Sequence, residues 1–282
     1  MHSFSAPDQN IIDDNIRIAI AEDIATGDVT AALLPDYLSE GYVLCKEKCV
    51  LAGRPWFDAC LKALDPEVKI RWHVNEGDMV EPVKVICTFE GRSRALVSAE
   101  RSALNFLQTL SGVATVTASY AQALQGTGTR VLDTRKTIPG LRQAQKYAVR
   151  VGGGVNHRMG LYDTVMLKEN HIHAAGSLSA AALHAQTQFP ALPLIIEVEN
   201  LTQLHEALRT GCTRILIDDF SLEDMRAAVA IAAGKIPLEV SGSVTFERLA
   251  EIAATGVDYV SIGALTKHVH AIDFSMKLGK YS

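Results

Sequence analysis

From Val131 to Gly263 the sequence repeats one pattern, a short apolar run rich in β-branched residues followed by an amphipathic helical stretch. The runs are Val131–Thr134, Thr164–Lys168, Leu194–Glu199, Arg214–Asp218, Pro237–Ser241 and Asp258–Gly263. Each is apolar on successive positions, as a strand covered on both faces must be. Asn200 stands three residues before Gln203, and Ser221 three before Asp224, which are helix start signals. Gly211, Gly234 and Gly256 close three of the helical stretches. Repeated β-α units predict parallel strands joined by right-handed crossovers.

The polar residues fall in register with this pattern. Asp133, Arg135, Lys168, Glu197, Glu199, Asp218, Ser241 and Gly263 all lie in or just after the C-terminal ends of the predicted strands. In a β/α barrel that rim is where ligand groups gather. A doubly wound sheet also collects them at strand C-termini, at its switch point. Convergence from six consecutive strands favours the barrel. The first 115 or so residues differ. A helix is predicted over Asn10–Ile24, extended segments over Gly41–Gly53, Val68–Val74 and Val83–Glu90, and a strong helix over Val97–Leu110. Strands and helices in separate runs imply an α+β domain.

Charge narrows the ligand. A net charge of −5 argues against general nucleic-acid binding. Arg130, Arg135, Lys136, Arg142, Lys146, Arg150, Arg158 and Lys168 nevertheless crowd one stretch that holds only two acids, Asp133 and Asp163. A basic island in an acidic chain suggests a small, multiply anionic ligand. No stretch approaches the roughly 18–20 apolar residues of a membrane helix. Met1–Asn10 lacks the charged and apolar regions of a secretory signal, so a cytoplasmic protein is expected. Five cysteines are an odd count, and the Cys45/Cys49 pair has no second Cys/His pair at zinc-ligand spacing. Packed, reduced thiols are the expectation.

Several motifs carry chemistry. Asp133-Thr-Arg-Lys-Thr137 with Pro139-Gly140 places two cations at a strand end; an arginine fork suits a carboxylate and a lysine suits a phosphate. Gly152-Gly-Gly154 followed by Asn156-His157-Arg158 lets backbone, imidazole and guanidinium approach a ligand, although a histidine alone is more often structural. Lys168 ends an apolar strand, a costly position without a compensating anion. Glu197 and Asp218, on successive strands, suit a divalent metal or a ribose, or simple ion pairing with the neighbouring cations. Glu199 lies one pleat beyond Glu197, so spacing leaves the choice between them open. Ser241-Gly-Ser243 and Gly263-Ala264 end the last two strands, where barrels often hold phosphate on backbone N–H groups.

As an ordered set these residues resemble the quinolinate phosphoribosyltransferase family. The resemblance rests on Asp133-Thr-Arg-Lys-Thr-Ile-Pro-Gly-Leu-Arg142, Lys146-Tyr-Ala-Val-Arg150, Gly152–Arg158 with Gly160-Leu161, and Lys168-Glu-Asn-His171. Glu100–Gly112, Glu22-Asp23, Gly27-Asp-Val-Thr30 and Gly263-Ala-Leu-Thr266 extend it from about residue 20 to 275. It implies a type II phosphoribosyltransferase fold. In this chain that is an N-terminal α+β domain over 1–115, joined by the tail 270–282, and a seven-stranded incomplete α/β barrel over 116–269. It also implies a head-to-tail homodimer in which Arg101 reaches the partner's site; without the resemblance Arg101 reads as a surface residue.

The implied reaction joins quinolinate to phosphoribosyl pyrophosphate, giving nicotinic acid mononucleotide, pyrophosphate and carbon dioxide for NAD synthesis. Carried onto this sequence, Arg135, His157, Arg158 and a partner-supplied Arg101 would clamp the dicarboxylate. Lys136 and Lys168 would meet the phosphoribosyl and pyrophosphate groups. Glu197 and Asp218 would serve ribose and Mg2+, possibly through water, and Ser241, Gly242, Gly263 and Ala264 would hold the 5′-phosphate. Many relatives have Gly or Asn where this chain has Ser243, whose N–H and hydroxyl still suit a phosphate. Two rivals stand beside this reading. One is a same-fold paralogue of altered specificity, such as the relative linked to molybdenum transport, which would be expected to lose part of the clamp. The other is a non-enzymatic metabolite sensor, which would not need both carboxylates. A nicotinate-specific transferase is disfavoured, because one carboxylate does not call for so many cations.

Overall fold

A computed structural model describes residues 4–242 and 244–281 of the chain, so Ser243 of the Ser-Gly-Ser segment lies outside the described residues. The chain divides into two compact units. The first comprises the chain up to Ala118, Thr137–Gly153 and the segment from Ala264 onward; the second comprises Ser119–Lys136 and Gly154–Gly263. The residues 137–153 and 264–269 therefore cluster with the first unit rather than with the barrel strands, although by sequence they fall within 116–269.

In the first unit α1 (Gln9–Asp23) precedes β1 (Leu38–Cys45), β2 (Cys49–Val50), α2 (Arg54–Leu64), β3 (Lys69–Trp72), β4 (Met79–Val80) and β5 (Lys84–Arg92). Next comes α3 (Ser93–Ala123), a 31-residue helix whose last turn enters the second unit. It is far longer than the predicted Val97–Leu110, because the small residues beyond Leu110 continue to be buried through Thr117. β12 (Phe274–Leu278) from the C-terminal tail pairs antiparallel with β1, giving the sheet order β12-β1-β5-β3. Strand alternation turns Val43 and Cys45 inward. They share one core with Trp56, Phe57 and Leu61 of α2, Leu107 and Leu110 of α3, and Tyr147 and Ala148 of α4 (Arg142–Val151). This shared core is why α4 belongs here. The five cysteines are free and buried, with Cys45 and Cys49 sulfurs 3.6 Å apart.

The second unit is built on six parallel strands. They are β6 (Arg130–Leu132), β7 (Val165–Leu167), β8 (Leu194–Val198), β9 (Arg214–Asp218), β10 (Leu238–Ser241) and β11 (Tyr259–Ser261). Their order is β6-β11-β10-β9-β8-β7, so β7 to β11 lie side by side in chain order and β6, the first strand, lies beside β11, the last. An isolated parallel bridge between Leu132 and Val155 adds a seventh strand position beside β6. That is the incomplete α/β barrel arrangement. The crossovers are α5 (Glu169–Ala175) with α6 (Leu178–Gln188), α7 (Leu201–Ala207), α8 (Leu222–Ala232) and α9 (Leu249–Ala253), while α10 (Ala264–Lys267) follows β11. Their starts obey the local code: Asn200 accepts the Gln203 N–H at 2.9 Å and Ser221 that of Asp224 at 3.1 Å. Among the described residues no helix is long and apolar enough to cross a membrane.

Candidate active site

The rim is organised around a buried carboxylate just past β6. Asp133 is fully buried, accepting the His157 N–H on Oδ1 at 2.9 Å and Asn156 Nδ2 on Oδ2 at 2.5 Å. Its own N–H donates to the Val155 carbonyl at 3.1 Å. Asp133 thus ties the glycine-rich segment to β6 and brings His157 and Arg158 to the strand end that carries Arg135 and Lys136.

Arg135 is exposed and Arg158 half-buried. Burial, and then the nearby Arg135 guanidinium, pull the Arg158 pKa below its ordinary value, while Asp163 and Glu197 oppose the shift. Two guanidiniums within reach of each other's charge lose their repulsion when a dianion lies between them. The His157 ring is buried, and its Nδ1 accepts the Arg158 backbone N–H at 2.7 Å.

Across the rim, Lys168 Nζ and Glu197 Oε2 form an ion pair of 2.6 Å between the ends of β7 and β8. With its lysine half-exposed to water, such a pair adds little stability, but it aims both groups. His171 Nδ1 accepts the Lys168 backbone N–H at 3.1 Å, fixing the start of α5. Glu199, by contrast, is exposed past the end of β8, its N–H donating to Gln203 Oε1 at 2.7 Å. The carboxylate that the structure brings to Lys168 is Glu197.

Asp218 lies opposite Ser241 in the β9–β10 register. Gly242 follows with φ +81°, and a Cβ there would lie 2.9 Å from Asp219 Oδ1 and 3.3 Å from Asp218 Oδ1. Only glycine fits both the turn and the approach. At Gly263 a Cβ would meet Lys136 Cδ at 2.8 Å, so the Lys136 stem lies across Gly263. Ala264 opens α10, and Arg101 stands exposed on α3; both belong to the first unit. Arg101 borders a cavity of about 300 Å³ there, with Glu22, Asp23, Asn105 and Gly140.

One acidic residue went unremarked in the sequence. Glu239 on β10 is fully buried, with Oε2 3.0 Å from Arg214 Nη1 and Oε1 3.3 Å from His157 Nε2. The signal was present: a lone carboxylate in a strand covered on both faces demands buried cationic partners.

Residues 28–111 match the family described as quinolinate phosphoribosyl transferase, N-terminal domain, and residues 113–277 match its C-terminal domain. Quinolinate phosphoribosyltransferase [decarboxylating] 1b of Nicotiana tabacum is 40% identical, covering 93% of this chain and 81% of its own length. Nicotinate-nucleotide pyrophosphorylase [carboxylating] of Mycobacterium leprae is 39% identical over 94% of this chain and 96% of its own. The solved nicotinate-nucleotide pyrophosphorylase of Francisella tularensis superposes with a TM-score of 0.95 at 40% identity, covering 99% of this chain and all of that one. The chain belongs to the quinolinate phosphoribosyltransferase family.

Proposed function

We infer that this chain is a pentosyltransferase that joins quinolinate to phosphoribosyl pyrophosphate and decarboxylates the product to nicotinic acid mononucleotide. The observation that carries the reading is the pair of guanidiniums, Arg135 and Arg158, held on one rim with the Lys168–Glu197 pair. Quinolinate brings two adjacent carboxylates, the charge such a pair needs. In this assignment Arg135 and Arg158, with the partner subunit's Arg101, take the carboxylates, and His157 serves the same end of the site. Exposure of Arg101 on α3 supports a homodimer in which each site borrows that side chain. The substrates are soluble small molecules, which suits a cytoplasmic enzyme.

The clamp presents the pyridine nitrogen to the anomeric carbon, making the bond formation effectively intramolecular. As the carbon–oxygen bond to pyrophosphate breaks, positive charge grows on the ribose, and Glu197 and Asp218 stabilise it. Lys136 and Lys168 offset the charge on the departing pyrophosphate. Ser241, Gly242, Gly263 and Ala264 offer the 5′-phosphate a glycine-lined cradle. The 2-carboxylate then leaves as carbon dioxide, its electron pair stays on the ring carbon beside the cationic nitrogen, and a proton from solvent completes the product.

Among the described residues no three His, Cys, Asp or Glu gather into a metal-binding group. Two carboxylates on adjacent strands, Glu197 and Asp218, still fit Mg2+, which takes one or two protein carboxylates and completes its shell with phosphates and water. Magnesium bound there would supply positive charge against the leaving pyrophosphate.

The test is turnover of quinolinate with phosphoribosyl pyrophosphate and magnesium, followed by quinolinate absorbance and released carbon dioxide, with nicotinate in parallel. Product from quinolinate alone is expected. A folded protein that binds quinolinate without turnover would be a sensor, and one that binds none would be a paralogue of other specificity.

A further inference from the structure

Glu239 has no place in the assignment above, yet it is a carboxylate buried as completely as Asp133. It is the only charged residue of β10 and is fully buried. An ionised carboxylate removed from water costs several kcal/mol unless it is paired. Arg214 partners one oxygen at 3.0 Å, its guanidinium lying 4.6 Å over the Tyr259 ring. The other oxygen, Oε1, has no well-formed hydrogen bond and stands 3.3 Å from Nε2 of His157.

The far side of the same imidazole decides what this contact does. Nδ1 accepts the Arg158 backbone N–H at 2.7 Å, so Nδ1 must keep its lone pair. The ring proton therefore resides on Nε2, facing the carboxylate. An anion at that position stabilises this tautomer and disfavours the other. The chain of contacts runs Arg214, Glu239, His157 and ends on Arg158, whose guanidinium feels the charge of Arg135.

We propose that Glu239 is a positioning residue for the carboxylate-binding end of the site: by fixing the Nε2–H tautomer of His157 it keeps Nδ1 as the acceptor that sets the Arg158 backbone and aims its guanidinium. The inference rests on the assignment of Arg158 to the quinolinate clamp. It also makes His157 a group that acts through Arg158.

Glu239→Gln separates the alternatives. The amide is isosteric and keeps an oxygen for Arg214, but it turns an N–H toward Nε2. His157 must then move its proton to Nδ1, where it meets the Arg158 N–H donor against donor. The KM for quinolinate should rise about ten-fold, the loss of one charge-assisted contact. The kcat and the KM for phosphoribosyl pyrophosphate should change less than about two-fold. An unchanged quinolinate KM in the folded variant overturns the proposal, as does a parallel loss in kcat and both KM values, the mark of a merely structural role. Should the variant not fold, 15N imidazole spectra of the unliganded wild-type protein decide: a bare Nδ1 on His157 is expected, and a protonated Nδ1 refutes the idea. Failure of wild-type turnover would sink the functional assignment instead, leaving those spectra to judge the tautomer.

Discussion

The two units bury different things. In the first, Trp56, Phe57, Leu107 and Leu110 fill the interior between sheet and helices, and Lys146 on α4 is the cation hidden with them. In the second, the strands bury Asp133 and Glu239 as completely, each with its donors arranged around it. Apolar burial stabilises in proportion to area and is indifferent to what binds elsewhere. A buried carboxylate is neutral or costly to stability as a pair, but it fixes the position of every donor that answers it. The comparison therefore predicts that damage to the first interior appears as lost stability, and damage to the charged rim as lost function.

The largest effect should come from Trp56→Ala. Trp56 is fully buried, packs on Tyr147 with ring centroids 5.5 Å apart, and donates to Asn15 Oδ1 at 3.0 Å. Truncation should cost about 3–5 kcal/mol in urea unfolding, with the quinolinate KM of the folded fraction unchanged. A shifted KM with unchanged stability would break the comparison outright. Lys168→Ala should do the reverse. Its kcat should fall about 10²–10³-fold, as when one preorganised charge is removed from a transition state. Its melting temperature should barely move, because the ion pair with Glu197 is half-exposed on the lysine side.

Much of this was legible in advance, for physical reasons. All six parallel strands were readable because strands covered on both faces are short apolar runs, and the rim followed from their C-terminal ends. The length of α3 was less readable: Val97–Leu110 carries the apolar stripe, whereas the Gly, Ala, Ser and Thr that follow it are buried by close approach and not by hydrophobicity. Sequence order also could not assign α4 to a unit, since its amphipathic face says that it packs but not on what. At the site, Lys168 and Glu197 were visible as charges at strand ends, and their 2.6 Å contact separated Glu197 from Glu199. Glu239 was missed because its meaning depends on His157 and Arg214, which are distant in the chain and joined only by the fold.

A smaller effect sharpens the charged side of the comparison. Arg158→Lys keeps the positive charge and loses the planar fork, so quinolinate KM should rise about ten-fold while the KM for phosphoribosyl pyrophosphate stays level. Equal weakening of both substrates would mean that Arg158 contributes a general field and not a directed contact.

The smallest effect concerns stability within the charged unit, where the comparison is most exposed. Burial pushes the Glu239 pKa up, but His157 and Arg214 together bring it below its ordinary value. A depressed carboxylate adds stability above its unfolded value and loses it as the pH falls through its folded one. Wild-type protein should therefore lose urea resistance on acidification below about pH 4.5 more steeply than Glu239→Gln, which has no proton to take up there. Identical acid slopes would show that Glu239 gains nothing from its partners. The cost of burying that charge would then be borne for positioning alone, and the contrast between the two units would be complete.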